Sequence, residues 1–542
     1  MDALSRSGTT SRRIFTRYDV LMRVNVLLLA TALVLQCVAG GRRQDMSPDS
    51  IVCNTHETSY GGRIWRLSPG CRLDGSLLTV EIPRESWGDT QWAKTEIDLA
   101  PYVGTGFEAR IRVRGKDIAK PTEPWLGFKF MLRWRDIFSG AMHYPGAGAP
   151  LGSFPWRTVS LRQTGDFRGA DGGGVLHLGL QGTSGSLTFD LDSLEIVDLQ
   201  PIWPATNQAL RCAYTPDIAS RPAARGVMSP SGRDMTEDDF RALASWGVSL
   251  LRFQMVRDWH GVGTNQDLGE FDRWLDGRLN HFGNVVLPLA RKYAISVVLD
   301  MHVTPGGRDA SHETNMFHDK RYARHFVESW RRIARRFAGE EGIWAYDLVN
   351  EPQQQSEAAP GMDGWSLQKI AAEAIRAIDP ITPILFESNA NDSPDAFRNL
   401  SPVALTNMIY EVHVYGPEDF THQGIPGFAS TPGRWPDDSR GWNRDYLRSL
   451  LAPVREFQLK HGARIYVGEF SAVAWAPGAE KYLEDCIALF EEYGWDWTYH
   501  AFREWQGWSV EHEGDSPTAL RSAVDTPRKK VLIDGLSGRV AK

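Results

Sequence analysis

The strongest constraint on the fold is an alternation of short apolar segments with amphipathic ones, which begins near residue 223 and continues through the rest of the chain. Segments such as 295–299 are apolar on both faces, which is typical of parallel strands covered by helices. Eight such units favour an α/β fold of the closed (β/α)8, or TIM-barrel, type over an open doubly wound sheet. The eight predicted strands are 224–228, 248–256, 295–302, 343–350, 383–389, 408–415, 463–470 and 495–502.

Helices are predicted between most of these strands. Thr236, followed by three acidic residues, is a good N-cap and first turn, and Gly247 is a good C-terminal stop. The connection after the fifth strand, near 390–400, is short. The other predicted helices are 270–292, 319–338, 364–378, 441–461, 478–493 and a last one at 516–534.

The preceding part of the chain has a different pattern. Residues 77–82, 107–113 and 187–191 alternate with period two between Gly- and Pro-rich turns, and no convincing helix is present. We therefore expect an all-β, jelly-roll-like sandwich over about 50–200. Residues 201–222 contain four prolines and are expected to form a packed linker, which leaves 223–542 as the barrel domain.

The N-terminus is typical of an export signal over 1–41. An apolar run at 24–39 follows several arginines and precedes small residues. That run is shorter than the roughly 20 residues of a bilayer-spanning helix, so we expect no membrane span. The mature protein is therefore expected to be secreted or periplasmic. Two alternatives stay open for the type of export signal. One is a twin-arginine signal at 11–15, and the other is lipid attachment at Cys37, which Gln36 disfavours.

Cysteine and charge content exclude several classes. After removal of a leader only four cysteines remain, among them Cys53 and Cys71 as a plausible disulfide and Cys486 as a buried thiol. The lack of a Cys-x-x-Cys pair excludes a zinc ribbon. A net charge of −7 gives no basic surface for nucleic acid. The oligomeric state cannot be predicted.

Polar residues fall at the predicted C-terminal ends of six of the eight strands, where barrel enzymes place their catalytic groups. Glu351 and Glu469 stand out because both follow β-rich apolar segments. Two carboxyl groups facing each other are what glycosidic bond cleavage requires, one to protonate the leaving oxygen and one to attack carbon or activate water. Arg252 would keep one of them ionised. The alternative is that each glutamate forms a structural ion pair.

Residues 223–510 resemble family 5 glycoside hydrolases, the large cellulase and mannanase family of clan A. The resemblance rests on five motifs in order: Leu251-Arg252-Phe253, Asp300-Met301-His302, Val349-Asn350-Glu351-Pro352, Glu411-Val412-His413-Val414-Tyr415 and Val467-Gly468-Glu469-Phe470.

This resemblance implies a retaining glycosidase with Glu351 as acid/base and Glu469 as nucleophile. It further implies that Arg252 and Tyr415 hold the nucleophile, that Asn350 contacts the sugar 2-hydroxyl, and that His302 and His413 line the central subsite. No cofactor and no metal are expected, because this chemistry needs none. His312 and His318 match no metal-binding spacing.

The end of the eighth strand departs from the family pattern. The family usually has a Trp there as the floor of the central subsite, whereas this chain has His500 or Phe502 near that place. Trp505 is the best substitute, although it and Trp508 are equally compatible with a packing role.

The chain contains 20 tryptophans, which serve either as core or as platforms for sugar rings. Trp246, Trp274 and Trp330 lie on predicted barrel helices and are expected to be core. The candidates for sugar contact are Trp259, Trp435, Trp475, Trp505 and Trp508 at the barrel rim, and Trp87, Trp92, Trp125 and Trp156 in the sandwich.

Three functions remain open on this sequence. The first is a retaining β-glycosidase acting on β-linked glucan-type poly- or oligosaccharides. The second is the same fold with an exo-acting, mannan, glycolipid or aryl β-glycoside specificity, which a long loop at 416–440 would favour by walling off the groove. The third is a non-catalytic carbohydrate-binding protein, which the presence of both glutamates disfavours. All three have a carbohydrate partner.

Overall fold

The computed structural model describes residues 55–539 except 100–101, 103–105, 124, 137–141, 164–169, 199–202, 205–206, 259–263, 311, 355, 426–432, 515–519 and 523. The proposed leader, Cys37, Cys53 and Trp259 lie outside the described residues.

The N-terminal part forms two antiparallel sheets. One has the order β1-β2-β5-β11-β7-β8 with β9 also on β7, and the other has the order β10-β6-β12-β4-β3. The twelve strands are β1 His56–Tyr60, β2 Arg63–Leu67, β3 Cys71–Asp74, β4 Leu77–Ile82, β5 Thr90–Ile97, β6 Phe107–Ile118, β7 Gly127–Asp136, β8 Met142–His143, β9 Gly146–Ala147, β10 Gly152–Gln163, β11 Ala170–Gln181 and β12 Gly185–Asp198.

Alternation along the strands builds the core between the two sheets. In β6 the residues Phe107, Ala109, Ile111 and Val113 are buried, while the arginines between them are exposed. Apolar side chains of both sheets, such as Leu78 and Leu178, belong to one buried cluster. The period-two prediction for this region is therefore confirmed, because one face of each strand packs on the other sheet.

The C-terminal part is a closed barrel of eight parallel strands, as the sequence predicts. Each observed strand lies within its predicted segment and is one to four residues shorter in total. The strands are β13 Arg225–Met228, β14 Leu250–Gln254, β15 Ser296–Asp300, β16 Ile343–Asp347, β17 Ile384–Glu387, β18 Met408–Val414, β19 Arg464–Phe470 and β20 Asp496–Tyr499.

The helices around the barrel follow the predicted order. Thr236 and Asp239 form a reciprocal capping box on the first, and Gly247 ends it with φ 84°. The α-helices are Glu237–Trp246, Leu268–His281, Leu287–Lys292, Lys320–Phe337, Gly364–Arg376, Arg444–His461, Ala479–Tyr493 and Pro527–Leu536, with shorter ones at Pro216–Ala219, Asn389–Asp392 and Glu418–Thr421.

Two helix predictions are wrong in detail. The segment 270–292 is not one α-helix: a π-helical turn at Phe282–Val286 interrupts it, just before Pro288, which has no N–H to donate. The last helix begins at Pro527 and not at 516, because proline is favoured at the first helical position and Thr526 caps it there. A two-stranded hairpin, β21 His512–Glu513 and β22 Leu520–Arg521, precedes it.

Part of the predicted linker packs on the barrel at both of its ends. Tyr214 donates a hydrogen bond to the carbonyl of Met408 at the start of β18, at 2.9 Å. Trp203 is buried against Phe386 and donates to Gln354 at 2.9 Å. Within the described residues, no helix is both long and apolar enough to cross a membrane.

Candidate active site

Arg252 lies at the centre of the barrel and is fully buried. Its Nη1 donates to Glu469 Oε1 at 2.7 Å, and its Nη2 donates to Asp347 Oδ2 at 2.7 Å and to Asn350 Oδ1 at 3.0 Å. One guanidinium therefore connects the ends of β14, β16 and β19. A buried charge of this kind is stable only when paired, and Arg252 has carboxylates on several sides.

Glu469, on β19, is held by two donors. Arg252 binds one carboxylate oxygen, and the hydroxyl of Tyr415 donates to the other at 2.7 Å. Burial raises the pKa of Glu469, but the positive charges of His413, His500 and Arg252 outweigh it, so the net pKa is well below its ordinary value. Glu469 is therefore a carboxylate at neutral pH. Burial and this carboxylate raise the pKa of Tyr415, which keeps its phenol a donor.

Glu351 follows β16 in a strained backbone conformation. Its φ is 50°, in the left-handed region that non-glycine residues rarely adopt, and such strain is concentrated at functional sites. Two contacts hold it: its N–H donates to Glu387 Oε2 at 2.6 Å, and Arg308 Nη2 donates to its carbonyl. The conformation turns the side chain toward His413, whose Nδ1 lies 3.0 Å from Glu351 Oε1.

The two glutamates face each other across the barrel mouth. One oxygen of Glu351, one nitrogen of His413 and one oxygen of Glu469 all lie within 4.8 Å of one another. Retaining glycosidases separate their carboxyl groups by about 5–5.5 Å, and inverting ones by about 6.5–9.5 Å. The short approach of one oxygen from each glutamate fits direct attack by the second carboxylate.

The other predicted site residues surround this pair. The side-chain oxygen of Asn350 accepts a hydrogen bond from Arg252, which leaves the NH₂ group of Asn350 available to a ligand. His302, after β15, is bonded through Nδ1 to Asp300 at 2.7 Å. Arg252, Asn350, Glu351, His413, Tyr415 and Glu469 are thus joined by direct contacts, and His302 is close enough to lower the pKa of Glu469.

At the end of β20 the structure brings His500 against the site. Its ring lies edge-on to Tyr415 at 6.2 Å, and its Nε2 is 3.2 Å from Glu504 Oε2. Trp508 also contacts Tyr415, at 6.1 Å between ring centroids. Trp505 is one ring farther out, packed edge-on against Trp508 and Trp475 at 5.5 Å each. The residues nearest the nucleophile on this side are therefore His500 and Trp508.

The long loop after β18 adds a further ring. His422 packs on Tyr415 at 5.0 Å and on Trp508 at 5.1 Å, and burial lowers its pKa to about 4. It is therefore neutral at physiological pH. The described part of the loop thus lies against the site, which agrees with the predicted role as a wall.

Two buried acids, Asp347 and Glu387, were missed by the sequence reasoning, and Glu411 was named only as part of a motif. Asp347 and Glu387 are the last residues of β16 and β17, and both are fully buried beside Arg252. Glu411 projects from β18 with its Oε1 3.3 Å from Arg252 Nη2. The signal that could have found them is a lone acid closing an otherwise apolar strand, as Asp300 does in β15.

Two candidate sugar platforms are wrong. Trp92 is buried in the sandwich, edge-on to His177 at 5.0 Å. Trp435 belongs to the loop after β18 and is buried, and its indole N–H donates to Asp485 at 3.0 Å. Both fill gaps between elements, so neither presents a face to a ligand. Of the predicted core tryptophans, Trp246 and Trp330 are buried and Trp274 is half-buried.

Comparisons with known proteins cover mainly the barrel part of the chain. The family described as Cellulase (glycosyl hydrolase family 5) matches residues 217–505. Endoglucanase C of Acetivibrio thermocellus is 29% identical over 298 residues, covering 49% of this chain and 84% of that protein. Cellodextrinase A of Ruminococcus flavefaciens is 28% identical over 265 residues, covering 48% and 75%. The solved structure of Thermotoga maritima Cel5A with mannotriose is 21% identical, covers 59% of this chain and all of that one, and has a TM-score of 0.46.

The fold and site define a carbohydrate-active barrel hydrolase. The chain belongs to glycosyl hydrolase family 5, and it is a glycoside hydrolase acting on O-glycosyl bonds.

Proposed function

We propose that the chain is a retaining β-glycosidase that hydrolyses β-linked glucan-type poly- or oligosaccharides by double displacement. The observation that supports this most directly is the approach of Glu351 and Glu469 to within 4.8 Å. The names of two relatives, an endoglucanase and a cellodextrinase, support a glucan substrate.

In the first step Glu469 attacks the anomeric carbon and Glu351 protonates the departing glycosidic oxygen. Arg252 and Tyr415 direct both oxygens of Glu469 and keep it ionised before attack. As the glycosyl ester forms, the negative charge on Glu469 disappears, and the hydrogen bond from Tyr415 weakens. The result is a covalent glycosyl-enzyme with the anomeric configuration inverted once.

In the second step Glu351, now a carboxylate, removes a proton from water that attacks the same carbon. Cleavage of the ester restores Glu469 and inverts the configuration again, so the product retains the original configuration. His413, at 3.0 Å from Glu351, orients that carboxyl group through both steps. Asn350 donates to the sugar 2-hydroxyl, and His302 lines the same subsite.

A nucleophile test separates this mechanism from a binding-only barrel. Glu469→Ala is expected to lower kcat by at least roughly 10⁴-fold on an activated aryl β-glycoside. Added azide should restore part of the rate and give a glycosyl azide of inverted configuration, because the small anion occupies the place of the carboxylate. Full activity of Glu469→Ala would contradict the assignment.

The acid/base assignment is tested by the leaving group. Glu351→Gln should lose roughly 10²–10⁴-fold on a glucan, whose leaving oxygen needs a proton, and much less on a glycoside with a good leaving group. An equal loss on both substrates would contradict the role of Glu351 as acid. A product screen on β-glucans, mannans, xylans and aryl glycosides then decides between glucan and the other specificities.

We also propose that the chain is exported after removal of residues 1–41. The supporting feature is the arginine-rich, then apolar, then small-residue order of that segment. N-terminal sequencing of the protein recovered from the culture medium or periplasm tests it, and a cytoplasmic protein with an intact N-terminus would contradict it.

A further inference from the structure

A second group of potential ligands lies below the two glutamates. It consists of Glu387 at the end of β17, Asp392 in the following turn, and Glu411 and His413 on β18; we call it the β17–β18 cluster. The carboxyl groups are fully buried and His413 is 3% exposed. One carboxylate oxygen from each acid and one nitrogen of the imidazole all lie within 4.8 Å of one another.

Most of the facing atoms have no hydrogen bond within the described part of the chain. They are Asp392 Oδ2, both carboxylate oxygens of Glu411, and His413 Nε2. The nearest polar approaches to Glu411 Oε1 are Arg252 Nη2 at 3.3 Å and His413 Nε2 at 3.5 Å. Leaving a buried polar atom without a partner costs roughly 1–3 kcal/mol, and more for a charged group. Four such atoms in one buried cluster therefore indicate a deficit of positive charge.

The neighbouring cations supply it only in part. Arg252 Nη2 donates to Glu387 Oε1 at 3.1 Å, but the same guanidinium also binds Glu469 and Asp347 and lies 3.5 Å from Asp300. The imidazole of His413 is engaged by Glu351 through its other nitrogen. A single guanidinium and one imidazole thus face three cluster carboxyl groups and the acids above them.

We propose that the β17–β18 cluster binds one divalent transition-metal ion, of the Mn²⁺ or Zn²⁺ type. Three carboxylates and one imidazole suit these ions, whereas Ca²⁺ prefers six to eight oxygen ligands and Mg²⁺ an octahedral shell rich in water. This departs from the sequence expectation of no metal. The ion takes no part in bond cleavage.

Such an ion has a defined effect on the site above it. Coordination through Nε2 leaves the remaining proton of His413 on Nδ1, which then donates to Glu351 Oε1 at 3.0 Å. Metal binding thereby fixes the tautomer and the ring orientation of His413. This consequence rests on the proposed role of Glu351, whereas binding itself does not.

The test uses the full chain, purified without an immobilised-metal column. Incubation with Mn²⁺ or Zn²⁺, desalting and elemental analysis should give about one ion per chain and a raised melting temperature. Ca²⁺ and Mg²⁺ should not be retained. A wild-type protein that retains neither Mn²⁺ nor Zn²⁺ and shows no thermal shift overturns the proposal.

A matched pair of variants locates the ion. Asp392→Asn should lower retained metal at least tenfold, whereas Asp485→Asn, an equally buried acid paired with Trp435 outside the cluster, should retain it. Equal retention in both variants overturns the location. If Asp392→Asn does not fold, the wild-type titration decides. Loading Glu469→Ala, which is expected to be inactive, separates metal binding from the proposed function.

Discussion

The two regions of the molecule treat charge in opposite ways. Among the described side chains of β1–β12, no Asp, Glu, Lys or Arg is buried, and the buried polar groups are hydroxyls and His177. The barrel buries Arg252 together with acids from six of its strands. Burying charge is costly unless it is paired, so the sandwich follows the rule for stability and the barrel departs from it.

Most of these acids lie at one end of the barrel, whereas Asp496, the first residue of β20, is buried at the other end and pairs with Arg464. Asp300 and Asp347 lie opposite each other in register, as do Glu387 and Glu411, where the strands approach the mouth. The interior below them is apolar, with Leu250, Val298 and Leu385 fully buried. In this molecule, therefore, the buried charges identify the reaction site more precisely than the fold does.

The largest expected effect comes from removing the central cation. Arg252→Met leaves up to five carboxyl groups without it, so we expect a loss of roughly 3–5 kcal/mol in the free energy of unfolding. We also expect kcat/KM to fall at least roughly 10³-fold, because Glu469 loses one of its two donors. Urea unfolding and initial rates on an aryl β-glycoside measure both.

Its control lies in the sandwich. Leu178→Ala removes a fully buried side chain from an apolar core and should cost about 2–5 kcal/mol. Because no charge is involved there, kcat per folded molecule should not change. A matching loss of kcat would show that the two regions are coupled, and the contrast between them would fail.

The second effect concerns the end of β20, where the family usually has a tryptophan and this chain has His500 nearby. His500→Ala removes a positive charge that lowers the pKa of Glu469, and it removes the imidazole that lies 3.2 Å from Glu504. We expect kcat/KM to fall about 10–100-fold, the equivalent of one charged hydrogen bond. Trp505→Ala, one ring farther out, should lower it by less than about fivefold. The reverse order would restore Trp505 as the subsite floor.

The third effect is on stability in acid. Burial raises the pKa of Asp239, but bonds from Arg233 and Thr236 outweigh it and bring the pKa to about 2. Because this lies below the value of about 4 in an unfolded chain, the stabilisation is complete above pH 4 and is lost as the pH falls toward 2.

Asp239→Asn should therefore destabilise the protein by about 1–2 kcal/mol at pH 6 and by little near pH 2. The matched control is Asp238→Asn, whose side chain is 80% exposed and pairs only with Arg241 within the described residues, and it should change stability by less than about 0.5 kcal/mol. Urea midpoints at the two pH values measure the difference. An Asp239→Asn effect that is the same at both would rule out the carboxylate as its source.

The barrel was predictable because its strands are apolar on both faces and its helices carry local caps. Thr236 and Gly247 mark helix ends within the sequence itself. The π-turn at Phe282–Val286 was not predictable, since the same residues satisfy an ordinary helical pattern. The burial of Trp435 was not predictable either, because it depends on how a loop folds over Tyr482.

The site was predictable where motifs place a polar group directly after a strand, as for Asn350 and Glu351. It was not predictable where the function of an acid depends on closure of the barrel. Asp347 lies 40 residues before Glu387 in sequence, and Asp347, Glu387 and Asp392 each alone resemble an exposed residue at the end of an element. Only the circular order β16-β17-β18 brings them around Arg252 and His413.

The smallest expected effect tests whether the sandwich binds sugar at all. Trp125 and Trp87 are 64% and 50% exposed, and so they remain candidate platforms, as does half-buried Trp156 beneath Arg114. One aromatic platform contributes about 0.5–1.5 kcal/mol, so Trp125→Ala should weaken adsorption to an insoluble β-glucan by about two- to tenfold.

The control is Ile64→Ala, which changes another exposed apolar side chain of the sandwich and should leave adsorption unchanged. Because the sandwich keeps its charges at the surface, hydrolysis of a soluble substrate should be unaffected by either variant. Equal adsorption of both variants and the wild type would assign Trp125 no sugar-binding role and leave Trp87 and Trp156 as the candidate platforms of the sandwich.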